Sequence, residues 1–357
     1  MKKLSILFVL ILLMSLLAAC GFTLPVLPGQ PAETTAPTAP DLTVPATAAP
    51  TVQDPTAPEP TASAAPDLPT EDADIHPMLF HVTGPEGQEG YLFGTIHVGD
   101  RRIDTVLNKL TPMLDGCDAL AVEFDVVAYE GDFAAQIKAV QMYMLTDGTK
   151  VSDHMPAETY QKAAALLGEA GLYPSMMQSY NLAMWSQLVE QAALITRTDY
   201  DLEIGMDRSL IKHCYDKQIE VRDVESADFQ MNLLASFSDE LNLLMIESTL
   251  DSLDTYSESI DALYGAWLSG DYERIVAVLN EESGETDELT EEQTALLEDY
   301  YDKMLTQRNL GMRDKAVQWL EAGDRVFFAV GAAHLVDEGG LIALLREAGY
   351  TVEQVEY

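Results

Sequence analysis

The sequence predicts an α/β protein: a mixed, partly parallel sheet from the N- and C-terminal parts of the folded region, with a large helical insertion between them. Three observations carry this reading. Short apolar runs bounded by turn residues open the region, helical apolar periodicity fills its middle, and strand, helix and strand signals follow one another at its end.

Met78 to Val82 reads as a strand, Gly84-Pro85-Glu86-Gly87 as a turn, and Tyr91 to His97 as a second strand, so a hairpin opens the domain. Ile103, Val106, Leu107 and Leu110 recur at one helical face, and Ala119 to Phe124 is an apolar run of buried-strand type. In the middle, Leu182, Trp185, Val189, Ala192 and Ile195 line one helical stripe. Leu241 to Leu268 reads as two helices broken near Ser252 to Ser257. Thr290 and Gln293 have capping-box spacing ahead of a helix that buries Leu297, Tyr300, Met304 and Leu305. The acidic run Glu281 to Glu292 reads as a solvated loop and helix start. At the end, Val326 to Val330 is a buried strand, and Leu341, Leu344, Leu345 and Ala348 mark a helix that Gly349 stops. Thr351 to Val355 follows as a strand, which implies a right-handed βαβ unit with a parallel pair.

Upstream of this region the composition differs. Lys2 and Lys3 precede an apolar run from Ile6 to Met14, and Leu17-Ala18-Ala19-Cys20 closes it with small residues before a cysteine. That order reads as a secretory signal over residues 1–19, too short in its apolar run for a spanning helix. The cysteine after the small residues resembles a bacterial lipobox, in which Cys20 carries the acyl chains and anchors the protein to the extracytoplasmic face of the membrane. Residues 20–74 are rich in Pro, Thr and Ala, with no Lys or Arg between Lys3 and Arg101. Such a segment buries too little apolar surface to offset its ordering entropy and reads as a disordered tether, leaving 75–357 as the folded domain.

The formal charge of −39 excludes a nucleic-acid partner, which needs a basic stripe, and disfavours close adhesion to anionic headgroups. Cys117 and Cys214 match no zinc or redox spacing. Export permits a disulfide between them, and two buried thiols are an equal alternative.

Two strings carry chemistry. Phe93-Gly94-Thr95-Ile96-His97 ends an early strand and Val330-Gly331-Ala332-Ala333-His334 ends a late one, each with His three residues after Gly. Ligands of open α/β sheets gather beyond the strands' carboxyl ends, where glycine allows close approach and histidine supplies a metal ligand or base. Glu123 closes a third strand, with Asp125 two residues on. Two His and one carboxylate suffice for a metal with open positions. Each of these residues taken singly reads equally well as a structural histidine or a strand-end charge.

With Gly205-Met206-Asp207, Glu225 with Gln230, and Arg308-Asn309 between them, these motifs stand in an order that resembles the TraB/PrgY/GumN family, which includes the animal Tiki proteins. The resemblance covers about Leu79 to Val355. It implies a fold related to erythromycin esterases and ChaN-like proteins, and a metal-dependent protease activity like that of the Tiki branch. It also implies His97, Glu123 and His334 as the site core, with Asp207, Arg308 and Asn309 supporting them or orienting substrate. Many members follow the second His with Leu-x-Gly; here Leu335-Val336-Asp337-Glu338-Gly339 moves the glycine and places two acids in the loop. The zincin string His-Glu-x-x-His is absent.

The expectation is a metal-dependent hydrolase of peptide or small-molecule substrates. His97, Glu123 and His334 would hold Mn²⁺, Co²⁺ or Zn²⁺, and Arg308 would stabilise an oxyanion or bind a substrate carboxylate. The alternatives are a metal-free esterase-type hydrolase with His as general base, and a surface protein that sequesters a peptide signal without turnover.

Overall fold

The computed structural model describes residues 74–173, 176–280 and 289–357. The signal, Cys20 and the Pro/Thr/Ala-rich segment lie outside these residues, as does the acidic run over 281–288.

Six strands, β1 (Leu79–Thr83), β2 (Glu89–Thr95), β3 (Ala119–Val122), β4 (Glu220–Asp223), β5 (Val326–Gly331) and β6 (Thr351–Gln354), form one sheet in the order β4-β3-β5-β2-β1-β6. The four strands β4, β3, β5 and β2 pair in parallel, so their carboxyl ends share one edge. The hairpin β1–β2 is antiparallel, and β6 adds to β1 antiparallel.

Strand periodicity divides the core by faces. Phe93, Leu120, Val122, Phe327 and Ala329 pack on one side with Val106 and Leu110 of helix Arg102–Leu114, Leu210 of helix Met206–Lys217 and Trp267 of helix Tyr256–Ser269. Leu92, Ala121, Phe328 and Val330 pack on the other with Met312 and Leu320 of helix Gln307–Glu321 and Leu341 and Leu345 of helix Leu341–Glu347. A separate cluster centred on helix Leu182–Arg197 forms the core of the helical insertion.

Several readings from the sequence need correction. The last β-α-β unit does not make a parallel pair: β6 joins β1, and the hairpin β1–β2 stands between it and β5. β2 is the better neighbour for β5 because its last four residues are all buried, which leaves β1 as the free edge for β6. The sheet also takes a strand from the middle of the chain. β4 (Glu-Val-Arg-Asp) lacks apolar alternation, and only its pairing to β3 makes it a strand. Ile195 is exposed, not part of the stripe; the helix is buried on every side from Leu182 to Glu190 and emerges at its end. Strand β3 stops at Val122, and Asp125 caps the following helix Val126–Gly131 by accepting from Ala128 N–H at 2.9 Å.

The capping box is present, with Thr290 Oγ1 accepting from Gln293 N–H and Gln293 Oε1 from Thr290 N–H. Leu297, Tyr300, Met304 and Leu305 are buried. Cys117 and Cys214 are buried free thiols, their pKa values pushed up to about 11 and about 12 by burial. Among the described residues no helix is long and apolar enough to cross a membrane.

Candidate functional site

Polar residues rare in a protein interior collect at the shared carboxyl edge of the four parallel strands. His97 lies two residues beyond β2, Glu123 directly after β3, Glu225 two residues beyond β4, and His334 in the 3-10 turn Ala332–His334 after β5. Glu123 and His334 are buried, and His97 keeps 14% of its side chain exposed, the most open of the three.

The glycines explain how the backbones come so close. A Cβ at Gly331 would stand 3.3 Å from Glu123 Oε1 and 3.7 Å from His97 Nε2, so only glycine keeps that space free. A Cβ at Gly205 would run into the His97 carbonyl. Without one, Met206 N–H donates to the Ile96 carbonyl at 2.8 Å and helix Met206–Lys217 starts against the end of β2. Asp207 therefore reaches both Thr95 and His97. Its Oδ1 accepts from Thr95 Oγ1 at 2.7 Å, and its Oδ2 lies 2.8 Å from His97 Nδ1.

His334 has a matching partner. Asn309 donates its amide nitrogen to the Gly339 carbonyl at 2.9 Å, which leaves its Oδ1 to face His334 Nδ1 at 2.6 Å. In its neutral form each histidine thus carries the ring proton on Nδ1 and keeps Nε2 as the free lone pair. His334 Nε2 lies 3.8 Å from Glu123 Oε1.

Glu123 is the most heavily bonded member. Its Oε1 accepts from Gly331 N–H at 2.9 Å; its Oε2 accepts from Arg308 Nη2 at 2.5 Å and Gln230 Nε2 at 3.1 Å. Glu225 accepts from Arg308 Nε at 3.0 Å, from Arg308 Nη2 at 2.8 Å and from Gln230 Nε2 at 2.7 Å. Arg308 enters the site just after a π-helical segment, Asp302–Thr306, and its Nη1 donates to the Met304 carbonyl inside it at 3.2 Å. The guanidinium is therefore committed to Glu123, Glu225 and this carbonyl.

The charges follow from these contacts. Burial opposes the Glu123 carboxylate, but Arg308 first, then both histidines and the Gly331 N–H, hold its pKa well below the usual range. Burial and the Arg308 cation push His334 down to about 3, so it is neutral. Burial would also lower His97, but the Asp207 carboxylate, by charge and hydrogen bond, and then Glu123 raise it above the ordinary histidine value.

The donor chemistry fits a divalent ion: two imidazole Nε2 atoms with hydrogen-bonded Nδ1 atoms, and one carboxylate oxygen beside the space that Gly331 leaves. As the side chains stand, no three or more His, Cys, Asp or Glu among the described residues are grouped closely enough to grip one. Thr95, Gly331, Glu225 and Gln230 stand in the motifs that carry the family resemblance, which gives them no role; their contacts with Asp207, Glu123 and Arg308 come from the fold.

Fold and site together define an α/β protein with a buried His–Glu–His centre at the carboxyl edge of its parallel strands, reached through two Gly-x-x-His strand ends. The chain belongs to the TraB/PrgY/gumN family, which it matches over residues 78–354. It is similar to uncharacterized protein YbaP of Shigella flexneri, 26% identical over 268 residues that cover 74% of this chain and 90% of the relative. The YbaP of Escherichia coli (strain K12) is similar to the same extent. No solved structure matches the chain significantly.

Proposed function

We propose that this protein is a hydrolase, with a peptide bond as its target, held at the extracytoplasmic membrane surface by a lipid on Cys20. One observation carries the catalytic reading: Asp207 and Asn309 hold the Nδ1 atoms of His97 and His334, while His334 Nε2 lies 3.8 Å from Glu123 and His97 Nε2 borders the same space at Gly331. Histidines whose Nδ1 atoms are fixed by hydrogen bonds and whose Nε2 atoms face a shared space suit a metal-assisted hydrolytic centre.

His97, Glu123 and His334 would hold the divalent ion, which when bound polarises a carbonyl and lowers the pKa of water. The remaining residues set the geometry. Arg308 balances the Glu123 charge and, with Glu225 and Gln230, fixes the carboxylate plane. Since Arg308 is occupied by these partners, it acts here as a positioning residue and not as the oxyanion donor.

A metal-free reading has its own support. Glu123 is already charge-balanced by Arg308, and His97, held at Nδ1 by Asp207 and with its basicity raised by that carboxylate, can serve as a general base. Elemental analysis of the purified full-length chain, with peptide turnover followed before and after chelation, tests the proposal. Bound Mn, Co or Zn and chelator-sensitive turnover support the first reading; chelator-resistant turnover supports the second. Peptide retained intact by the protein would overturn both in favour of sequestration.

A further inference from the structure

The site has an unusual rim. Helix Phe133–Met142 follows Glu123 after the short helix Val126–Gly131, and helix Ala227–Ala235 carries Gln230, which donates to Glu123. The two helices pack together, and Lys138 pairs with Asp228 across them. Phe133 and Ile137, one turn apart, and Phe229 on the neighbouring helix are all exposed; Tyr215, on the helix Met206–Lys217 that carries Asp207, is exposed too. Large apolar side chains exposed together mark an interaction surface.

Asp125 and Asp223 stand at the same strand ends as the site, each two residues from one of its glutamates, Glu123 and Glu225. They follow or end β3 and β4, Asp223 Oδ1 accepts from Asp125 N–H at 2.7 Å, and Tyr215 OH donates to Asp125 Oδ2. No Lys or Arg forms a salt bridge with either carboxylate among the described residues, whereas the nearby Asp228 has Lys138 and Glu130 has Arg208. Two neighbouring carboxylates without a cationic partner, one of them bonded to the exposed Tyr215, complement a cation that carries apolar groups. The formal charge of −39 works against a second copy of this chain or an anionic bilayer as the occupant.

We propose that this rim docks a cationic peptide segment bearing apolar side chains: Phe133, Ile137 and Phe229 take the apolar groups, and Asp125 and Asp223 take the positive charge. The surface thereby selects basic, amphipathic peptides for the centre formed by His97, Glu123 and His334. As a statement about substrate class this rests on the hydrolase reading, but docking is measurable without turnover.

The test is fluorescence anisotropy of the full-length chain with three labelled short peptides: alternating Lys and Leu, alternating Glu and Leu, and alternating Lys and Ser. The Lys/Leu peptide is expected to bind about tenfold or more tighter than either other peptide, and more weakly as salt screens the carboxylates. Phe133→Ser and Phe229→Ser are each expected to weaken it by about tenfold, or about 1.4 kcal/mol. Asp223→Asn keeps the hydrogen bond to Asp125 N–H and should still weaken Lys/Leu binding while leaving Lys/Ser and Glu/Leu apart by less. Equal binding of the three peptides, or indifference to all three substitutions, overturns the proposal. So does a concentration-dependent dimer, or binding to anionic vesicles, that Phe133→Ser abolishes. In His97→Ala, selective binding should persist. Selective binding by the unaltered protein without cleavage would sink the hydrolase reading alone, and cleavage indifferent to peptide charge would sink the docking proposal alone.

Discussion

Asn309 Oδ1 lies 2.6 Å from His334 Nδ1 because the Asn309 amide nitrogen is spent on the Gly339 carbonyl at 2.9 Å. The loop after His334 thereby sets a histidine tautomer. Asp337 takes a left-handed conformation (φ 68°) and its N–H donates to the Tyr272 hydroxyl at 3.0 Å, which turns the chain and delivers the Gly339 carbonyl to Asn309. The glycine displaced to 339 and the two added acids therefore accompany a built contact; Glu338 points into solvent.

Removing either tautomer-setting partner should leave the histidine in place but poorly aimed. Asn309→Ala and Asp207→Ala are each expected to weaken divalent-metal binding by roughly 10- to 100-fold. Titration of the purified variants with Mn²⁺ or Zn²⁺ measures this. Unchanged affinity in both would show that the two residues serve the fold alone.

The histidines themselves should be indispensable. His97→Ala and His334→Ala are expected to lower peptide turnover by about 10²- to 10⁴-fold and to abolish metal retention. Far-ultraviolet circular dichroism should stay at the parental signal, since neither ring is part of the apolar core. Turnover near the parental rate in either variant would remove that histidine from the site.

Arg308 is the most costly residue to lose. Arg308→Met leaves the buried Glu123 carboxylate without its cation and should destabilise the fold by about 3–5 kcal/mol. Urea unfolding gives the comparison. A second variant, Arg308→Met with Glu123→Gln, should recover part of the loss, because Glu123 is then neutral while Glu225 keeps its unbalanced charge. Failure of any recovery would show that the Glu123 charge is not the source of the cost.

Glu190, outside the His–Glu–His centre, gives the domain a pH dependence of its own. It is fully buried in the helical insertion, where it accepts from Tyr256 OH at 2.5 Å and Thr249 Oγ1 at 2.8 Å and faces Tyr300. Burial outweighs these hydrogen bonds and pushes its pKa from 4.5 up to about 7. Between those values the folded state holds a proton that the unfolded state has released, so Glu190 takes stability away as pH rises from 4.5 to about 7, and no more above. Each unit is worth about 1.4 kcal/mol, so Glu190→Gln should gain up to roughly 3 kcal/mol on the parent at about pH 8 and nothing near pH 4. Parallel melting curves across the range would contradict this.

Anchoring is tested at Cys20. Cys20→Ser should move the protein from the membrane fraction to the soluble fraction or block its maturation. Detergent-dependent membrane association that persists in this variant would end the lipid-anchor proposal.

What the sequence determined by itself is local. Apolar periodicity marked the helices and the buried strands β2, β3 and β5, and Gly-x-x-His at two strand ends marked the site's edge, because a short stretch of chain carries each of these signals. The tertiary structure alone decided what those residues do. β4 has no apolar pattern and exists through its pairing with β3, while β6 chose β1 because the hairpin occupies the place beside β5. Arg308 could be read as free to meet substrate until the fold set it against Glu123, 185 positions away in sequence, and Glu225, 83 positions away. Hydrogen bonds and ion pairs act over a few ångströms, and nothing in a linear pattern records which distant side chains the sheet order brings within that reach.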